Sequence, residues 1–201
     1  MTEKRAAKRE IFGWAMFDFA NQAYTLLIIT VVFSVVFPRI IVGDGPDFRI
    51  GNLLWSVSLA ISYACVCITG PIFGAILDYT GTRKRFLFVS YLVTIVATAL
   101  LYFVTPGLIV LGMILIIVSN FAYATGEAFI ASFLPDLGPP DDLGKISGIG
   151  WAVGYLGGMV STVVVLLFIG DVSPSNFDNL RYVGPLSAVF FLLGLPWCRQ
   201  G

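Results

Sequence analysis

The sequence predicts an all-α membrane protein with six transmembrane helices, and three observations carry that expectation. Of the 201 residues, 58% are hydrophobic and only 12% are charged. Ordinary soluble domains carry roughly 25% charged residues, so the charge needed to coat a water-facing surface is lacking. Mean hydropathy is +0.91, and six stretches approach the roughly 20 apolar residues that cross a bilayer.

The basic start, 1–10, reads as a cytoplasmic amino terminus and is followed by the first span, 11–37. That stretch is much longer than the roughly 7–15 apolar residues of a signal peptide. It also contains Asp18, Asn21 and Gln22, and no small-residue cleavage site follows. It is therefore expected to remain as a helix. Gly43-Asp44-Gly45-Pro46 breaks the chain before the second span, 53–77. The third span, 86–104, reaches Thr105-Pro106-Gly107, a tight turn into the fourth, 107–134. Gly138-Pro139-Pro140 interrupts the connection to the fifth, 146–170. The sixth, 180–199, is uncharged only from Tyr182 to Cys198, and it spans if Arg181 and Arg199 snorkel to opposite interfaces. The chain stops just after it, at 200–201, which points to a fragment or a truncated reading frame.

Orientation follows from the basic residues of the short loops. An inside amino terminus puts Lys4, Arg5, Lys8, Arg9, Arg83, Lys84, Arg85, Lys145 and Arg199 in the cytoplasm and leaves Arg39, Arg49 and Arg181 outside. Nine against three places both ends in the cytoplasm.

Within the apolar spans two carboxylates stand out, Asp18 and Glu127. An ionisable group in hydrocarbon is costly and marks a path for an ion, proton or polar solute. Asp18, Asn21, Gln22 and Thr25 recur at helical spacing on one face of the first helix, and Asn120, Tyr123 and Glu127 do so on the fourth. Seven residues separate each acid from the cytoplasmic end of its span. At about 1.5 Å per residue both lie about 10 Å deep, where they could share a proton, hold a cation or meet an amino group. Asn21, Gln22, Asn120 and Tyr123 suit interhelical hydrogen bonding as well as ligand contact.

Gly150, Gly154 and Gly158 make overlapping G-x3-G steps that let another helix approach closely, a packing role. Trp151 and Tyr155 project from the neighbouring face, to line a cavity or to fill space. Cys65, Cys67 and Cys198 are read as core residues. There is no His. With no metal-type cluster and no nucleophile–base pair, neither an enzyme, a metal site nor a cofactor is expected.

At the cytoplasmic end of the second span runs Gly74-x3-Asp78-x2-Gly81-x-Arg83-Lys84. Composition alone makes it a positive-inside anchor with a turn. Its spacing, however, resembles the loop between helices two and three of the major facilitator superfamily. Tyr79 and Thr82 stand where that family often has basic residues. Trp14-Ala-Met-Phe-Asp18-Phe-Ala-Asn21, Phe133-Leu-Pro135-Asp136 and Lys145-Ile-Ser147-Gly-Ile-Gly150-Trp151-Ala-Val-Gly154-Tyr155-Leu-Gly157-Gly158 narrow the resemblance to the branch related to the autophagy-linked vacuolar amino-acid effluxer.

The resemblance implies one six-helix half of a twelve-span fold, built from 3+3 inverted repeats. It also implies a gate role for Gly74, Asp78, Gly81, Arg83 and Lys84. No sequence identity links 11–104 with 107–199, so the repeat comes from the resemblance alone. The expected function is the amino-terminal half of a secondary active transporter, moving a small polar solute by alternating access, with amino acids as the leading class. A membrane-embedded partner or assembly protein is the rival reading. The expected partners are membrane lipid, the solute, a coupling proton or cation, and a missing six-helix half or a second copy, with no nucleic acid. A bacterial cytoplasmic membrane is the expected location.

Overall fold

A computed structural model describes residues 6–198 of the chain, apart from the side chains of Leu77, Asp78, Thr80 and 193–198. All of its regular elements are helical. Six principal helices follow one another: α1 (Lys8–Val42), α2 (Arg49–Thr80), α3 (Arg83–Leu100), α4 (Ile109–Ala131), α5 (Pro140–Phe168) and α6 (Val183–Cys198). Among the described residues, α1 to α5 are long and apolar enough to cross a membrane.

α1 is not a uniform helix. It is α-helical over Lys8–Tyr24, widens to π-helix over Thr25–Val31, and widens again over Phe37–Val42. Two local features fit the wider turns. The Thr30 hydroxyl donates to the Thr25 carbonyl, five residues earlier, at 2.9 Å. Pro38 brings no N–H to the second stretch. Gly43 then ends the helix at φ +61°, and its N–H closes on the Pro38 carbonyl at 3.2 Å. A left-handed residue at this place suits glycine, which has no Cβ to clash.

Asp44 starts the next helix. Its carboxylate accepts from the backbone N–H of Ile50 at 2.6 Å and of Gly51 at 3.1 Å, two donors that an α-helix leaves without internal partners. Desolvation pushes this carboxyl up, but the N–H groups outweigh it and hold the pKa below the ordinary carboxylate value. Gly51 also lets α2 lie directly on α1, because a Cβ there would come within 2.7 Å of the Pro38 backbone.

Packing runs in one sequence of neighbours: α5 on α1, α1 on α6, α6 on α3, α3 on α4, and α4 on α2. Exchanging α1 with α4, α2 with α5 and α3 with α6 returns the same five pairs. The exchange also holds for the helix ends, since α2 packs on the far end of α1 and α5 packs on Leu134–Leu137, just beyond α4. Two three-helix units of opposite sense thus form one bundle, the arrangement of a major-facilitator half. In lipid the hydrophobic effect does not drive helices together, so close packing and polar contacts must do so.

An aromatic core joins the units. Tyr24 stacks on Tyr123 with centroids 4.5 Å apart, and Phe191 meets both edge-on. Tyr91 lies 4.7 Å from Phe17 and 4.8 Å from Phe191. The bundle's outside is apolar: Ile68, Val110, Leu166, Leu167 and Phe168 are all exposed, as a surface facing acyl chains requires. α2 and α5 are more exposed than the other long helices.

Candidate functional site

α1 and α4 meet through polar side chains. Asn21 is buried, and its Nδ2 donates to Glu127 Oε1 at 3.0 Å and to Tyr123 Oη at 3.3 Å. Thr25 Oγ1 and Tyr123 Oη share a hydrogen bond of 2.7 Å. One turn further along, Tyr24 Oη and Ser119 Oγ share another, at 2.9 Å. The 3.6-residue period puts 21, 24 and 25 on α1 opposite 119, 123 and 127 on α4, giving a polar seam inside an apolar bundle. Lipid offers these groups no partner, which is why they turn inward.

Asp18 belongs to the adjoining strip of α1. It is half-buried and lies against α5, where a Cβ built on Gly154 would come within 2.6 Å of its Oδ2. Gln22, one turn on, faces the same helix through Gly154 and Gly158. Glu127 stands exposed at the bundle surface and is close enough to act on Asp18 electrostatically. Among the described residues neither carboxylate is paired with a Lys or Arg.

The polar residues singled out from the sequence therefore divide. Asn21, Thr25, Tyr123 and Glu127 are brought together, with Asp18 and Gln22 beside them on the α5 side. Asn120 points the other way: it is fully buried, its Nδ2 donates to Ser62 Oγ on α2 at 2.9 Å, and its Oδ1 has no hydrogen-bond partner. Trp151 and Tyr155 are 57% and 58% exposed on the outer face of α5, touching each other with ring centroids 5.9 Å apart, and do not join the cluster. Tyr24 and Ser119 complete the seam, and Ser62 pairs with Asn120 outside it, without having stood out in the sequence. A Tyr amid apolar neighbours reads as filler, and serine in a spanning helix bonds its own backbone as readily as a neighbour.

The glycines of α5 each meet a particular part of α1. A Cβ on Gly150 would strike the Trp14 indole, one on Gly157 the backbone carbonyl of Phe19, and one on Gly158 the Leu26 side chain at 2.5 Å. Trp14 also donates from Nε1 to the Ile130 carbonyl of α4 at 3.4 Å. Close by, the Ala6 N–H donates to the Leu137 carbonyl at 3.0 Å, over a small cluster of Ile11, Leu137 and Ile146.

At the same end, Gly81 makes the turn between α2 and α3 at φ +63°. Arg83 opens α3, and Lys84 is exposed beside it. A cavity of about 550 Å³ lies there, lined by Gly70, Phe73 and Gly74 of α2, by Arg83, and by Thr125 and Phe129 of α4. Gly74 faces open space, and the Asp78 side chain lies outside the described residues. At the opposite end, Arg181 is held against Tyr102, in the turn Leu101–Phe103 just beyond α3. Its guanidinium sits 4.5 Å from the Tyr102 ring centroid, and Nε donates to the Tyr102 carbonyl at 3.0 Å.

Residues 54–145 match the family described as "Vacuole effluxer Atg22 like". Over 198 residues, 96% of the chain, the sequence is 27% identical to an uncharacterized MFS-type transporter, YxiO, of Bacillus subtilis (strain 168). The chain is similar to Atg22-like, MFS-type transporters. It spans 45% of the length of that curated relative. The Atg22-like match takes in the α4 side of the seam, Ser119 to Glu127, and the turn from Gly74 to Lys84. The match to the Bacillus protein extends over α1 and α5 as well. Together with the long apolar helices, the similarity to an MFS-type transporter supports a multi-pass membrane protein.

Proposed function

We propose that the chain is the amino-terminal half of a secondary active transporter for a small polar solute, and that Asp18 and Glu127 border the path. One observation carries the reading. Two carboxylates from helices related by the internal exchange, α1 and α4, face a shared region, and among the described residues neither is paired with a Lys or Arg. Acids within a spanning helix that lack a counter-ion are tolerated where water, a proton or a cationic group reaches them. Asn21 supports Glu127 by donating to it, and Tyr123 and Thr25 hold the seam around it.

The solute carries an amino group in this reading, which suits amino acids as the class. The description of the matching family as an effluxer supports a transport role. A coupling proton or cation would share the same acids. Rocking between inward-open and outward-open states needs a second bundle, and the exposed faces of α2 and α5, including Trp151 and Tyr155, are the surfaces it would cover. The length of the Bacillus relative leaves room for a further six-helix half. Gly74, Asp78, Gly81, Arg83 and Lys84 act as the gate, at the cytoplasmic end. Both termini are cytoplasmic, and the bacterial relative supports a bacterial cytoplasmic membrane.

Uptake and efflux of radiolabelled amino acids by cells expressing the full reading frame test the proposal. Asp18→Asn and Glu127→Gln should each lower flux at least tenfold. Unchanged flux and unchanged pH dependence in both would remove the role assigned to the acids.

A further inference from the structure

Four glycines of α5 press on α1, but only one presses on a charged group. Gly150 faces an indole, Gly157 a backbone carbonyl and Gly158 an aliphatic side chain, whereas Gly154 faces the Asp18 carboxylate. A Cβ at 154 would lie 2.6 Å from Asp18 Oδ2, 3.0 Å from its Cγ and 3.1 Å from Gln22 Cγ. Contacts this short force a shift. The Asp18 side chain, with the Gln22 stem packed alongside, is the group able to move.

No hydrogen bond fixes the Asp18 carboxylate among the described residues. Its direction is therefore set by shape, and the bare Cα of Gly154 leaves the space it occupies. Replacing that hydrogen by a methyl group would turn the carboxylate about χ1 or χ2 away from α5. From this the geometry points to Gly154 as a positioning residue, whose bare Cα leaves the space in which the Asp18 carboxylate lies against α5. The inference rests on the transport reading for its consequence, but not for its geometry.

The test compares Gly154→Ala and Gly158→Ala, each with Asp18 present and with Asp18→Ala, in the purified chain in lipid nanodiscs. Thermal unfolding is one readout. Carbodiimide modification of the Asp18 peptide relative to the Glu127 peptide, followed by mass spectrometry, is the other. With Asp18 present, Gly154→Ala should lower the unfolding midpoint and change the modification ratio at least threefold. In the Asp18→Ala background more than half of the midpoint loss should disappear, because the clashing group is gone. Gly158→Ala should lower the midpoint equally in both backgrounds and leave the ratio unchanged. If Gly154→Ala does not fold, its rescue by Asp18→Ala supports the inference, and failure of the double variant while Asp18→Ala alone folds opposes it. Equal losses in both backgrounds with an unchanged ratio would overturn it. Coupling between 18 and 154 together with unaltered flux in Asp18→Asn would reject the transport reading and leave the positioning intact.

Discussion

Asn21 Nδ2 donates to Glu127 Oε1 at 3.0 Å, joining α1 to α4 across 106 positions of sequence. The same amide reaches Tyr123 Oη, so Asn21 spends its donors on one turn of the facing helix. Polar groups in a bilayer have few alternatives, yet interhelical hydrogen bonds there are worth only about 0.6 kcal/mol on average, with a maximum of about 1.7. Asn21→Ala should therefore cost about 1 kcal/mol of stability. Its effect should be less than additive with Glu127→Gln, and a double-mutant cycle on unfolding in mild detergent measures that. Full additivity would mean the pair is not coupled.

Gly157→Ala should be the most damaging of the α5 glycine substitutions. Its Cβ would run into the Phe19 carbonyl, which belongs to the helix backbone and cannot swing aside, whereas at Gly158 the obstacle is the far end of Leu26. Overpacking typically costs about 1–3 kcal/mol. Gly157→Ala belongs at or above the top of that range, and Gly158→Ala near the bottom. Side-by-side thermal midpoints decide, and equal losses would contradict the close approach of α1 and α5.

Gly81 holds φ +63° at the turn into α3, where a side chain is strained. Gly81→Ala should cost about 1–2 kcal/mol, while Gly81→Asn should cost less, because Asn tolerates the left-handed region. The order of the two unfolding midpoints is the check.

Asp44 provides the pH-dependent element outside the spans. Its pKa is lowered in the folded chain, so its contribution is present above the ordinary carboxylate value, about 3.9, and is lost as pH falls through the lower folded value. Asp44→Ala should speed amide exchange at Ile50 and Gly51 several-fold at neutral pH. The difference from the unsubstituted chain should shrink as acid protonates the carboxylate. A difference that persists at low pH would assign those N–H groups another partner.

Hydropathy made the all-helical membrane class legible, because a bilayer demands long apolar runs, although among the described residues five helices and not six are long and apolar enough to cross it. The seam was partly readable for the same reason: charged and amide groups in such runs are conspicuous. Assigning them to one site was harder. A face three or four residues wide touches two neighbours, and so Asn21 and Thr25 meet α4 while Asp18 and Gln22 meet α5. Asn120 has the right spacing relative to Tyr123 but looks toward Ser62, since rotation of a helix is set by all its contacts together. Trp151 and Tyr155 follow Gly150 and Gly154 by a single residue, which on a helix turns them away from the packed stripe and outward. The internal repeat left no trace in residue identity, yet the packing pairs display it, because backbone arrangement survives where side chains do not.

The central claim is that Asp18 and Glu127 border water within the bilayer, and thiol accessibility tests it most directly. Asp18→Cys and Glu127→Cys, made in the full reading frame with the native cysteines replaced by serine, are treated in intact membranes with a small hydrophilic methanethiosulfonate. The account predicts that both positions react, and that excess solute slows the reaction. No reaction at either position, with a loop cysteine such as Asp136→Cys fully labelled in parallel, would contradict it.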